Sequence, residues 1–177
     1  MTDNRQDIPL LKALVLCSIL ASLTALLQLS SVFVPAAGHF LSPFSTLPVA
    51  IATMVRPSGG ITASLVAAAL VFVVQPLEVP VLLLTSAPLG WVLAMGIHSY
   101  RSRWLTTAAG SIVFFTGTTV MSYIAGEMIF GGAVGTPAFY KILVSNAFIA
   151  LFYAGAWEVL VRRVLKRLML FFPYLRH

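Results

Sequence analysis

The residues that can do chemistry are few: five carboxylates, three histidines and a single cysteine in 177 residues. Thr119, Ser122, Tyr123, Gly126 and Glu127 follow i, i+3, i+4, i+7, i+8 spacing, so on a helix they form one polar face that ends in a carboxylate. Asn146, Ala150, Tyr153 and Trp157 share a face on the next apolar segment, with Asn146 about 10 Å below its outer end by helical rise. His39, Gln75, Glu78, Trp91, Phe130 and Tyr140 can reach the same end of a bundle. Aromatic walls with a few polar groups are the usual make-up of a small-molecule pocket. A carboxylate beside Tyr and Trp suits an amine or cationic heterocycle, through ion pairing and stacking. The plainer alternative is that Ser and Thr bond back to their own helices, while Glu78 and Glu127 lie in solvated loops. No catalytic set is expected, since the chain has no His-Glu-x-x-His helix, phosphate-binding Gly-rich loop, metal-spaced cysteines or Gly-x-Ser-x-Gly elbow. No metal or cofactor is expected either.

The elements that must position these residues follow from composition. The chain is 59% apolar and 9% charged, against roughly a quarter charged in a soluble domain, and its mean hydropathy is +0.98. One soluble core of this size leaves about 30% of its surface exposed and cannot hide that much apolar side chain. The expected fold is an all-α integral membrane protein. A span needs about 20 residues, so six spans nearly exhaust the chain and leave no room for an extramembrane catalytic domain. One cysteine, Cys17, excludes an intrachain disulfide. The N-terminal run is read as a retained span and not as a cleaved lipoprotein signal. Leu16 is too large to precede such a cysteine, the first seven residues carry no net positive charge, and the apolar run continues to Val34.

Pro, Gly, Ser and charged residues divide the chain into six apolar segments, 10–34, 41–55, 58–75, 79–97, 104–126 and 138–161, within one domain, 1–177. Ser42 is placed to cap the second segment, with Pro43 in its first turn. Pro48 is expected to kink it, and irregular backbone at membrane depth faces protein or a cavity. The second and third segments are short enough to form, alternatively, a re-entrant hairpin with Arg56 at its tip.

Six spans with a cytoplasmic N-terminus put Arg5, Lys12, Arg56, Arg101, Arg103, Arg162, Arg163, Lys166, Arg167 and Arg176 inside. Of the eleven basic residues only Lys141 falls outside, which explains the net charge of +6 without nucleic acid. Both termini are then cytoplasmic. His98 lies on that side and His177 is terminal. The 162–177 stretch reads as a basic amphipathic tail on the anionic inner leaflet, and Glu158 is spaced to pair with Arg162 one turn on.

On the first segment Ala13, Cys17, Ala21 and Ala25 recur every four residues, a small-residue stripe that admits close helix approach, either from a partner or within the bundle. Cys17 is read as packing. This stripe, six short helices, a long first external connection, and the stretch Leu47-Pro48 through Arg56-Pro57-Ser58-Gly59-Gly60 together resemble the vitamin-binding S component of energy-coupling factor transporters. The family's Phe-Gly-Pro before the third helix stands here as Val55-Arg56-Pro57.

The resemblance implies a binding subunit in a bacterial or archaeal cytoplasmic membrane. It would capture a vitamin or precursor from outside and associate with a transmembrane coupling protein and two cytoplasmic ATPases, which hydrolyse the ATP. It also implies that Ala13, Cys17, Ala21 and Ala25 contact the coupling protein, and that the ligand lies in the external half. Glu127, with Glu78 in reserve, favours a cationic ligand such as thiamine or its pyrimidine precursor, while Lys141 leaves room for an anionic one. Two other classes stay open: a non-transporting scaffold resembling the six-helix cell-shape protein of the rod complex, and a small channel, which would need a polar path beyond Ser18, Ser22 and Thr53.

Overall fold

A computed structural model describes residues 10–99, 102–130 and 137–171, and every regular element among them is helical. In order these are α1 (Leu10–Phe33), α2 (Pro35–Leu41), a 3-10 turn (Ser42–Ser45), α3 (Thr46–Val55), α4 (Pro57–Val74), α5 (Glu78–Val81), a π segment (Leu82–Ser86), α6 (Ala87–Ser99), α7 (Arg103–Phe130) and α8 (Pro137–Phe171). Five helical stretches are long and apolar enough to cross a membrane: α1, α4, the continuous Glu78–Ser99 stretch, α7 and α8. Their outer faces are greasy, with Phe72, Val73, Phe148 and Phe152 between 61% and 83% exposed. The core holds many alanines and glycines, so this protein buries its small residues and shows its large ones, the arrangement that lipid as solvent dictates. It is a multi-pass membrane protein.

The second segment departs from expectation. Its apolar part, Ser42–Val55, is too short to count with the five, and a 3-10 turn followed by ten α-helical residues reaches about 23 Å against roughly 30 Å of hydrocarbon. Ser42 makes no capping bond at the start of this stretch. The chain arrives already helical from α2, so no fresh set of orphan N–H groups opens at Ser42. Pro48 falls in the first turn of α3, where its missing N–H is tolerated. The irregular backbone expected around it is the 3-10 turn just before. The Pro35 to Phe40 connection, expected as a loop, is helix α2, folded back against α1.

Helix α1 packs on α4 and α3 through small residues. Ala13, Cys17, Ala21 and Ala25 are all buried, Ala21 completely. Cys17 and Ala21 cluster with Ala52 and Ala63, and Ala25 with Ala67 and Ala68. Gly59 marks a close approach of α4 to both neighbours: a Cβ there would sit 2.8 Å from Cys17 Sγ and 3.0 Å from the Ala52 carbonyl oxygen. The stripe is thus taken by this chain's own α3 and α4, and a partner helix has no access to it in this conformation.

A second cluster joins α3, α6 and α8 through Ala50, Leu89, Leu93, Ala94, Ala154, Trp157, Val161 and Leu165. Leu165 belongs to this core and Leu168 packs on it. The segment expected as a separate surface tail is therefore, through Phe171, the continuation of α8. Leu165 and Leu168 pack against the cluster formed by α3, α6 and α8. Arg5, Arg101, Arg176, His177 and the Gly131–Thr136 part of the last outer connection lie outside the described residues.

Candidate functional site

Toward the C-terminal end of α1 its polar positions continue the small-residue face. Thr24, Gln28 and Ser31 follow Ala21 at i+3, i+7 and i+10, and all three are buried. Thr24 satisfies itself on the Leu20 carbonyl at 2.8 Å. Gln28, with no exposed surface, has no such local solution and bonds across helices. Its Nε2 donates to Glu78 Oε2 at 2.8 Å, and its Oε1 accepts from Ser45 Oγ at 3.0 Å. Ser31 Oγ donates to Glu78 Oε1 at 3.3 Å. One amide thus links three elements: α1, the 3-10 turn and the start of α5. Glu78 opens the Glu78–Ser99 stretch, where the positive helix end favours a carboxylate. A carboxylate offers about four acceptor positions. Gln28 and Ser31 occupy two.

Two irregular elements adjoin this network, the 3-10 turn that carries Ser45 and the π segment that follows α5. The 3-10 turn Ser42–Ser45 and the π segment Leu82–Ser86 touch each other. Pro80 and Pro88 bracket the π segment, and Pro88 has no N–H to offer the Leu84 carbonyl four residues back. That carbonyl leans on α7, where Gly117 presents bare backbone to it; a Cβ at this position would collide with the Leu84 oxygen. Close by on α7, Thr119 Oγ1 is buried without a hydrogen bond. Helix breaks inside a membrane persist where protein or a cavity covers them, and transporters build their sites from them.

Below the irregular pair lies an aromatic cluster. Phe44 meets the Trp157 ring edge-on at 5.4 Å and 77°. Phe114 stacks on Tyr153 at 4.3 Å, and Tyr153 lies 6.0 Å from Trp157. Thr46, fully buried beside them, has no hydrogen bond of ordinary geometry at Oγ1.

The residues expected to share one pocket are distributed over several contacts. Glu78 enters the Gln28 network. Asn146 Nδ2 donates to Ser122 Oγ at 3.3 Å, tying α8 to the polar face of α7. Trp91 Nε1 donates to Ser64 Oγ at 3.2 Å, near the middle of α4. Gln75 closes α4 through its backbone N–H to Val71 and accepts the Glu78 N–H on its carbonyl. Tyr123, Tyr140 and Lys141 are exposed. His39 stands in α2 and Glu127 near the end of α7, and their side chains, like that of Phe130, lie outside the described residues. Gln28, Ser31 and Ser45 are additions to the expected set. The spacing of Thr24, Gln28 and Ser31 on the face of Ala21 is the signal that reveals the first two.

At the opposite end, Glu158 is buried and pairs with Arg162 at 2.6 Å, the i,i+4 pair expected, and also with Arg103 of α7 at 3.5 Å. Among the described residues no group of three or more His, Cys, Asp or Glu is placed to hold a metal ion. Comparison with known proteins finds no family model, no curated protein and no solved structure that matches this chain.

Proposed function

We propose that this chain is the membrane-embedded binding subunit of a small-molecule uptake system, of the kind the S components of energy-coupling factor transporters represent. The observation that carries this reading is a half-buried carboxylate, Glu78, held by Gln28 and Ser31 next to two irregular helical segments. Glu78 is oriented by Gln28 and Ser31, keeps free acceptor positions, and is linked through Gln28 to Ser45 of the 3-10 turn. A half-buried carboxylate with open acceptor positions suits a ligand site, because an ionisable group within a membrane protein is expensive and marks a ligand or ion path. Glu78 selects a cationic or amine-bearing heterocycle, and Glu127 is the second candidate carboxylate. Thiamine or its pyrimidine precursor fits that description, and Asn146, tied to the polar face of α7 through Ser122, is a further candidate contact.

The chain has no nucleotide loop, so uptake draws its energy from a transmembrane coupling protein and two cytoplasmic ATPases in a bacterial or archaeal cytoplasmic membrane. Because the Ala13–Ala25 stripe is used internally, the coupling protein meets the other side of α1. A shallow apolar groove of about 300 Å³ runs there along Leu11, Lys12, Val15, Leu16 and Ile19.

Extraction from the native membrane in mild detergent tests the assembly. Co-purification of an ATPase pair is the expected result, and Val15→Trp, which fills the groove, should reduce it without affecting ligand retention. Recovery of the chain with cell-wall or cytoskeletal partners and no ATPase would instead identify a scaffold.

A further inference from the structure

We propose that the base of α7 and α8 is a binding site for the phosphate headgroups of anionic phospholipids in the surrounding bilayer. This rests on the chain's residence in a membrane and not on the ligand reading above. Five cations gather there among the described residues, Arg103, Arg162, Arg163, Lys166 and Arg167, against one carboxylate, Glu158. That carboxylate is spent: Oε1 takes Arg162 and Oε2 takes Arg103. Arg163, Lys166 and Arg167 are exposed and have no ion pair among the described residues.

The position of this charge is fixed. Ala154, Glu158, Val161 and Leu165 form the buried stripe of α8, and at 100° per residue Arg163 and Arg167 point roughly the other way. Leu165 and Leu168 are locked into the core, so the basic band keeps a set height relative to the apolar belt. From residue 162 to 167 the helix rises about 7.5 Å. One headgroup layer is roughly 5–8 Å thick. Arg103, 62% exposed at its side chain, is tied to the same level through Glu158. A band of guanidinium and ammonium groups as thick as one phosphate layer, with its only acid neutralised, complements phosphodiesters, and Arg adds bidentate geometry.

The test is native mass spectrometry of the full-length protein with graded phosphatidylglycerol or phosphatidylcholine of matched chains. Selective retention of phosphatidylglycerol is the expected result. Each cation near an anionic surface contributes about fivefold, so the triple variant Arg163→Gln, Lys166→Gln, Arg167→Gln should lower the preference by about 100-fold. Its helix content and thermal midpoint should stay unchanged, since all three side chains are exposed. The charge-preserving double variant Arg163→Lys, Arg167→Lys should keep most of the preference. Equal retention of the two lipids by the wild type would overturn the proposal, as would an undiminished preference in the triple variant. If the basic face serves an acidic protein instead, the wild type will show no lipid preference and the triple variant will lose a co-purifying partner, which also overturns it.

Discussion

Removing the amide that joins α1 to Glu78 should loosen the whole outer end of the bundle. Gln28→Leu keeps the volume of a side chain with no exposed surface but deletes two interhelical bonds, to Glu78 at 2.8 Å and from Ser45 at 3.0 Å. Hydrogen bonds between membrane helices average about 0.6 kcal/mol in double-mutant cycles, with a maximum near 1.7. A bond to a carboxylate is the stronger kind, and its Gln28 end is fully buried, so the Gln28 to Glu78 coupling should fall in the upper part of that range, about 1–1.5 kcal/mol. The single substitution should cost more, about 2–3 kcal/mol, because it also leaves the fully buried Ser45 hydroxyl unsatisfied. The assay is reversible unfolding in mixed micelles of the wild type, Gln28→Leu, Glu78→Ala and the double variant. A coupling below about 0.3 kcal/mol, within the additivity of independent sites, would refute the reasoning and show that Gln28 does not hold Glu78.

Three further substitutions probe how the site is positioned. Gly117→Ala places a methyl group against the Leu84 carbonyl, backbone against backbone, and should destabilise by about 1–3 kcal/mol; adding Pro88→Ala, which restores an N–H for that carbonyl, should recover part of the loss in the same unfolding assay. Arg162→Met should cost more than Arg103→Met. The first removes the close partner of a carboxylate whose side chain is 2% exposed, worth about 3 kcal/mol, while the second removes the longer contact made by an Arg103 side chain that is itself 62% exposed, worth about 0–1 kcal/mol; equal losses would contradict this ordering. Ala21→Leu, at a fully buried position facing α3 and α4, should cost about 1–3 kcal/mol by overpacking, and a neutral result would mean that the stripe is not closed within the chain.

Much of this architecture was legible because lipid leaves few choices. Spans α1, α4, α7 and α8 follow from apolar length, and the Glu158 to Arg162 pair from i,i+4 spacing. The small-residue stripe was visible too, but not its occupant. Spacing on α1 reports that something packs closely, whereas the complementary Gly59, Gly60, Ala63, Ala67 series on α4, equally present in the sequence, says what. The short second segment was misjudged at its start, because a serine followed by proline reads as a cap only when no helix precedes it. For the site, carboxylates and aromatics could be found by type, yet contacts such as Gln28 to Glu78, fifty residues apart, depend on how α1 and α5 dock. The π segment is set by Pro80 and Pro88 flanking a run that is apolar in either helix type, so periodicity alone could not distinguish it.

The most direct test of the binding reading is native mass spectrometry of the chain purified gently from its own membrane, beside Glu78→Ala prepared in the same way. The expected result is a small cationic or amine-bearing molecule retained by the wild type and lost from the variant, with both proteins folded. A wild-type protein free of any small molecule, or a molecule retained equally by Glu78→Ala, would contradict it.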